Sequence, residues 1–96
     1  MFQPPGFSTV VPYLFVENAP ALLQSLQQGL GAHLLSVHEQ QGRIANAQLR
    51  LGDSILMVSE ASAAYPAMPA SYYLYVPDAD AAVAQAVAAG AVLIMP

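Results

Sequence analysis

The sequence repeats itself, and an internal repeat restricts the folds open to a chain of 96 residues more than any other feature. Residues 13–21 (YLFVENAPA) align with residues 73–81 (YLYVPDADA), so Tyr, Leu, Val and both Ala recur at matching positions. Farther along, Gly31-Ala32 corresponds to Gly90-Ala91 after one deletion. The repeat predicts two copies of one supersecondary unit.

Each copy has the pattern of a strand, a helix ended by glycine, and a second strand. Asn18 and Asp78 stand at N-cap positions, where a side-chain oxygen can accept a hydrogen bond from the first helical turn. Gly31 and Gly90 can adopt the left-handed conformation that ends a helix. Because the second helix is nearly all alanine and valine, we expect it to pack closely on its sheet.

Strand-like segments follow the first helix, and the pairs Gln41-Gly42 and Gly52-Asp53 predict tight turns between them. The three predicted strands span 32–40, 43–51 and 53–60. Module one, residues 8–60, is therefore predicted to have the order β-α-β-β-β.

Module two, residues 71–96, follows a linker at 61–70 that is rich in Ala, Ser and Pro. It is predicted to contain a strand at 71–76, a helix at 78–89 and a strand at 91–95, and to lack the last two strands. The expected fold is one α+β domain over residues 1–96. In it, paired βαβββ modules form a curved mixed sheet, and the second module is incomplete (βαβ).

The order and spacing of several short motifs resemble the vicinal oxygen chelate superfamily, which includes glyoxalase I, bleomycin-resistance proteins and extradiol dioxygenases. The resemblance covers residues 8–96 and is closest to the glyoxalase-like branch. Its motifs are Val11-Pro12-Tyr13-Leu14, Leu30-Gly31-Ala32, residues 42–49 (GRIANAQL), residues 51–57 (LGDSILM), residues 76–81 (VPDADA) and Ala89-Gly90-Ala91. The resemblance implies paired modules that cup a sheet around a pocket, with the helices outside.

Metal-dependent enzymes of that superfamily hold a divalent ion with His and carboxylate ligands on the first, fourth, fifth and eighth strands. The matching positions here are Val11, Met57 and Ser71, and we expect the eighth strand to be absent. Val and Met do not suit a hard or borderline divalent ion, so we expect no metal and no cofactor. Asn46 and Gln48 also replace the His and Glu that the branch often carries on its third strand.

Period-two alternation sorts the strand residues into a helix side and a cup side. Leu14 and Val16 are predicted to face a helix, as are Ala45, Ala47, Leu49 and Leu51. The cup is expected to carry the candidate ligand-binding residues Tyr13, Phe15, Asn46, Gln48, Arg50, Met57, Tyr73 and Tyr75. Aromatic walls with a few amides suit a flat or amphipathic molecule, although such residues are ordinary core residues in most proteins.

The two histidines are predicted to be surface residues. By simple alternation His33 and Glu39 share one face of their strand, and His38 faces the other way. His33 and Glu39 are six positions apart on a strand, which separates them by roughly 20 Å, so they form no catalytic couple.

Charge and composition restrict partners and location. Two basic residues against six carboxylates give a net charge of −4, which excludes a nucleic-acid binder and mildly favours a cationic ligand. The chain has no cysteine, no visible signal peptide and no apolar run long enough to span a bilayer, so we expect a cytoplasmic location. The apolar run Ala91–Met95 and the unpaired half of the cup predict a homodimer.

These features predict a metal-free protein that binds or sequesters a small molecule. One alternative is a glyoxalase- or isomerase-like lyase whose site is completed by a partner chain or by missing C-terminal strands. A second alternative is an assembly module without a ligand.

Overall fold

The structure is a computed structural model that describes residues 2–94. Its elements are β1 (Tyr13–Val16), α1 (Ala19–Leu30), β2 (His33–Gln40), β3 (Arg43–Leu51), β4 (Ser54–Glu60) and α2 (Ala79–Ala88). The α+β class and the β-α-β-β-β order of module one are confirmed. Neither helix is long and apolar enough to cross a membrane in the part of the chain described.

One mixed four-stranded sheet organises module one. The strand order is β1-β4-β3-β2, in which β1 and β4 are parallel and the other neighbours are antiparallel. Helix α1 covers one face of this sheet. The buried core lies between them and contains Ala19, Leu23, Ala32, Ile44, Ala47, Leu49 and Val58.

A bulge lies in β2 at Leu35. Leu34 pairs with Leu49 and Ser36 pairs with Gln48, so Leu35 is an extra residue on its strand. An extra residue shifts the alternation of side chains by one position. Odd-numbered residues of β2 before Leu35 therefore face the same side of the sheet as even-numbered residues after it.

A second bulge lies in β3 at Ala45. His38 pairs with Asn46, and the next residue, Glu39, pairs with Ile44, so here the extra residue belongs to β3. The expectation that Ala45 faces the helix is wrong, because the bulge puts Ile44 into the buried core instead. Since each strand carries one extra residue, the two bulges compensate and the strands stay in register at both ends.

The two strands predicted for module two do not form within the described residues. Residues 71–76 have no strand partner, and neither do residues 91–94; Met95 and Pro96 lie outside the described part of the chain. Module one gives the physical reason. Its first two strands pair with the fourth and the third strand, not with each other, and residues 2–94 contain no further strands to pair with 71–76 and 91–94 in that way.

Helix α2 packs on α1 and not on a sheet, contrary to the expectation from its composition. The contact is close at Gly29, where an added Cβ would lie 3.2 Å from the Cβ of Ala89 and 3.4 Å from the Cα of Ala86. The side-chain amide of Gln85 donates to the carbonyl of Gln28 at 2.8 Å. Small side chains thus allow the two helices to approach each other.

The two helices have different N-terminal caps. Asp78 accepts a hydrogen bond from the amide of Ala81 at 3.1 Å, as the sequence predicts. The prediction that Asn18 caps α1 is wrong, because Asn18 has a left-handed backbone (φ 59°) and its side chain caps nothing. Glu60 takes this role from the end of β4, and its carboxylate accepts from the amides of Asn18 (2.8 Å) and Ala19 (2.9 Å).

We expect Glu60→Gln to lower the melting temperature at neutral pH by about 4 °C. The amides of Ala19 and Asn18 hold the pKa of the Glu60 carboxyl below its ordinary value, and Arg43 adds to this effect. The unfolded chain therefore binds the proton more readily, so the stabilisation by Glu60 is present at neutral pH and is lost as pH falls through the lowered pKa.

The measurement is the thermal unfolding of both proteins from pH 7 into the acid range. The difference between them should shrink as pH falls. Glu17→Gln removes the same charge from a nearby exposed position and serves as the control. An equal loss in both variants would contradict the capping role.

Candidate functional site

The face of the sheet opposite α1, called here the open face, carries three rows of side chains. Strand pairing places His33, Arg50 and Ile55 in the first row and Ser36, Gln48, Met57 and Tyr13 in the second. The third row contains His38, Asn46, Ser59 and Phe15. The other face belongs to the core, because Ala47, Leu49 and Val58 pack there with α1.

The open face brings together most of the residues that the sequence singles out for ligand binding. It carries Tyr13, Phe15, Asn46, Gln48, Arg50 and Met57. Tyr73 and Tyr75 are not among them, because their segment forms no strand in the structure. They are 85% and 94% exposed, and their rings lie 5.3 Å apart.

A chain of hydrogen bonds fixes Tyr13 on this face. The hydroxyl of Ser59 donates to the carbonyl of Ala45 at 2.6 Å. It therefore accepts from the hydroxyl of Tyr13, also at 2.6 Å, and the amide nitrogen of Asn46 donates to that same tyrosine oxygen at 3.3 Å. These hydrogen bonds end at Ala45, in the bulge of β3, and they orient both the phenol ring of Tyr13 and the amide of Asn46.

Three aromatic rings stack along one end of the open face. Tyr13 and Phe15 lie 4.7 Å apart with an interplanar angle of 20°, and Phe15 and Tyr65 lie 5.2 Å apart at 13°. Sequence reasoning missed Tyr65 because it lies in the loop after β4, where no strand alternation assigns a face. The stack forms an apolar wall, and both of its tyrosines, Tyr13 and Tyr65, are exposed to solvent.

A cavity of about 380 Å³ lies where the N-terminal segment crosses the open face. Its floor is Gln48 and Met57, and its other lining residues are Phe2, Gln3, Pro4, Phe7, Ser8, Thr9 and Val11. Gly6, with a positive φ of 85°, brings the segment within reach of Ile55, which is buried. The open face is thus partly covered by the chain itself, a cover that the strand pattern does not reveal.

Both histidines are exposed, as predicted, but their faces differ from those that simple alternation predicts. His33 pairs with Arg50 and His38 pairs with Asn46, so both histidines lie on the open face. Glu39 pairs with the buried Ile44 and belongs to the opposite face. The prediction that His33 and Glu39 share a face is wrong because the bulge in β2 lies between them.

The residues at the superfamily's metal positions do not fit a metal ion. Val11 and Met57 line the cavity, and neither offers a hard donor atom. Ser71 is exposed on a segment without strand partners. Within residues 2–94, no three His, Asp or Glu side chains come close enough to hold an ion together.

Comparison with solved structures shows a similar fold in a known protein. The crystal structure of TioX from Micromonospora sp. ML1 is similar to this chain with a TM-score of 0.68 and 26% sequence identity, over 93% of this chain and 75% of TioX. No family model and no curated protein sequence matches. The likeness to TioX supports the glyoxalase/bleomycin-resistance-like fold that the sequence motifs predict.

Proposed function

We propose that this protein binds and sequesters a small aromatic or amphipathic molecule without a metal. The observation that carries this proposal is the open face itself. It carries the stacked rings of Tyr13 and Phe15 and a cavity of about 380 Å³ with Gln48 and Met57 on its floor, and Tyr13 pairs with Met57 across the strands. This combination of apolar walls and a few oriented polar groups is typical of small-molecule sites.

The groups that face the cavity favour binding over chemistry. The amide of Gln48 and the thioether of Met57 are poor proton carriers. The phenol of Tyr13, next to Met57 on the neighbouring strand, is already engaged with Ser59. The glyoxalase/bleomycin-resistance-like fold, supported by the likeness to TioX, is compatible with a binding role.

The proposal includes a homodimer in the cytoplasm. Two segments of module two carry exposed apolar residues, called here together the module-two patch: Tyr72, Tyr73, Leu74, Tyr75 and Val76 in the first, and Val92, Leu93 and Ile94 in the second. The whole chain has 8 charged residues, too few to keep such a surface hydrated (Lys+Arg 2, Asp+Glu 6). A second copy is the partner we propose, because pairing across a twofold axis covers both patches at once. It would also bring the tyrosines of one copy to the open face of the other.

We expect an aromatic probe that binds the open face to quench tyrosine emission and to raise the melting temperature. Phe15→Ala should weaken that binding by about 0.5–1.5 kcal/mol, because it removes the middle ring of the stack. Tyr75→Ala should weaken it by a similar amount if a second copy supplies that ring. The measurement is a titration with naphthalene and anilinonaphthalene dyes, with and without a chelator.

Val10→Ala, at an exposed position outside the cavity, is the control variant and should bind like the wild type. A loss of binding on removal of divalent ions would contradict the metal-free proposal. A failure of every dye to bind would favour an assembly module without a ligand.

A further inference from the structure

The open face carries basic groups, although the chain as a whole is acidic. Arg50, His33 and His38 all lie on it. Each of the six carboxylates lies elsewhere in the fold. Glu17 precedes α1, Glu39 is on the opposite face, Asp53 is in a turn, Glu60 caps α1, and Asp78 and Asp80 begin α2. The net charge of −4 therefore does not describe the open face, where the charged groups that a ligand would meet are basic.

Arg50 is available for a ligand. Its side chain is exposed, and Asp53, the acid nearest to it along β3 and its turn, accepts a hydrogen bond from Ser54 at 3.5 Å and does not pair with Arg50. Its neighbour across the strand is the buried Ile55. An apolar neighbour beside a guanidinium strengthens its hydrogen bonds to an anion, because less water competes for them.

The spacing between the cavity and Arg50 suits one kind of molecule. Gln48 on the cavity floor and Arg50 are two residues apart on the same strand face, which corresponds to about 7 Å. An aromatic ring with an attached carboxylate spans this length. The ring would occupy the cavity above Met57, and the carboxylate would reach Arg50, with His33 directly beside it.

We propose that the ligand is an aromatic acid whose carboxylate binds Arg50 and His33. This inference rests on the proposed small-molecule binding and reverses the cationic ligand that net charge alone favours. The guanidinium is permanently charged and can bind a carboxylate through two parallel hydrogen bonds. The direct contact between the ligand carboxylate and Arg50 outweighs the repulsion from the distant carboxylates of the chain, because salt screens interactions between charges beyond about 8 Å.

The test compares three probes that share one ring system: 2-naphthoate, 2-naphthalenemethanol and 2-naphthylmethylammonium. The wild type should bind the naphthoate most tightly. Arg50→Gln should weaken naphthoate binding by about tenfold and leave the alcohol unchanged. Arg43→Gln removes the same charge from the other end of β3, where that guanidinium donates to the carbonyl of Ala61. It should leave all three affinities within about twofold of the wild type.

The possible results distinguish the aromatic-acid assignment from the small-molecule binding on which it rests. Equal or tighter binding of the ammonium probe, or naphthoate binding that is unaffected by Arg50→Gln, would overturn the aromatic-acid assignment and leave small-molecule binding intact. If all three probes fail to bind, both are wrong. Arg50→Lys, which keeps the charge but loses the paired geometry, should fall between the wild type and Arg50→Gln.

Discussion

Replacing Leu49 with alanine is expected to lower the free energy of unfolding by about 3 kcal/mol. Leu49 is fully buried between the sheet and α1, and it is one of the two largest side chains in the core with no solvent exposure. Truncation leaves a cavity that α1 can fill only by moving. A domain of this size has a stability of about 5–15 kcal/mol, so the variant should unfold at a markedly lower denaturant concentration.

Leu34→Ala is the matched control for this prediction. Leu34 pairs directly with Leu49 and points to the same face, but it lies on the edge strand and is 41% exposed. Its truncation should cost about 1 kcal/mol or less. The measurement is urea unfolding of the wild type and both variants, and the free energies can be compared if all three depend on urea concentration with the same slope. Equal losses of unfolding free energy in the two variants would show that α1 is not what buries Leu49.

The protein is expected to scatter light as a species of twice the chain mass of 10.1 kDa at micromolar concentration. The expectation follows from the module-two patch, in which Tyr75 is 94% exposed and Ile94 is 91% exposed. Monomeric proteins seldom expose a continuous apolar patch larger than a few hundred Å². Val92→Asp places a charge in the patch and should shift the protein to the monomer mass.

Val10→Asp is the control, since Val10 is 77% exposed, Val92 is 83% exposed, and only Val92 belongs to the patch. Both variants change the net charge equally, so a difference between them reports the position of the charge. A wild-type protein that stays monodisperse at 10.1 kDa would refute the homodimer. Dissociation of both variants would show that repulsion between charged chains, and not the patch, controls assembly.

The first module was predictable because each of its strands pairs with another strand of the module, and its helix covers one face of the resulting sheet. Alternation identified Tyr13, Phe15, Asn46, Gln48, Arg50 and Met57, and strand pairing brings all six to one face. The strands of module two were not, although residues 71–76 have the same alternating pattern as β1. A strand needs a partner for its amides and carbonyls, and a local pattern does not reveal whether the partner exists.

Two further errors have causes that a linear sequence hides. The bulge at Leu35 reverses the face of His33 relative to Glu39, and nothing in the residues around it marks an insertion. Asn18 is a good capping residue by type, but its backbone is left-handed, and Glu60, distant in sequence, accepts from the amides of Asn18 and Ala19. Both cases show local preference overridden by a contact that forms only once the sheet is assembled.

The paired bulges also bear on how this fold can vary in sequence. An extra residue opposite a single partner can be deleted without changing any other pairing, so loss of Leu35 would leave His33 opposite Arg50 and Ser36 opposite Gln48. Loss of Ala45 would preserve the pairing equally well, but it would remove the carbonyl that accepts from Ser59. β2 can therefore change length without altering the chemistry of the open face, whereas the same change in β3 would release Ser59 and, through it, Tyr13.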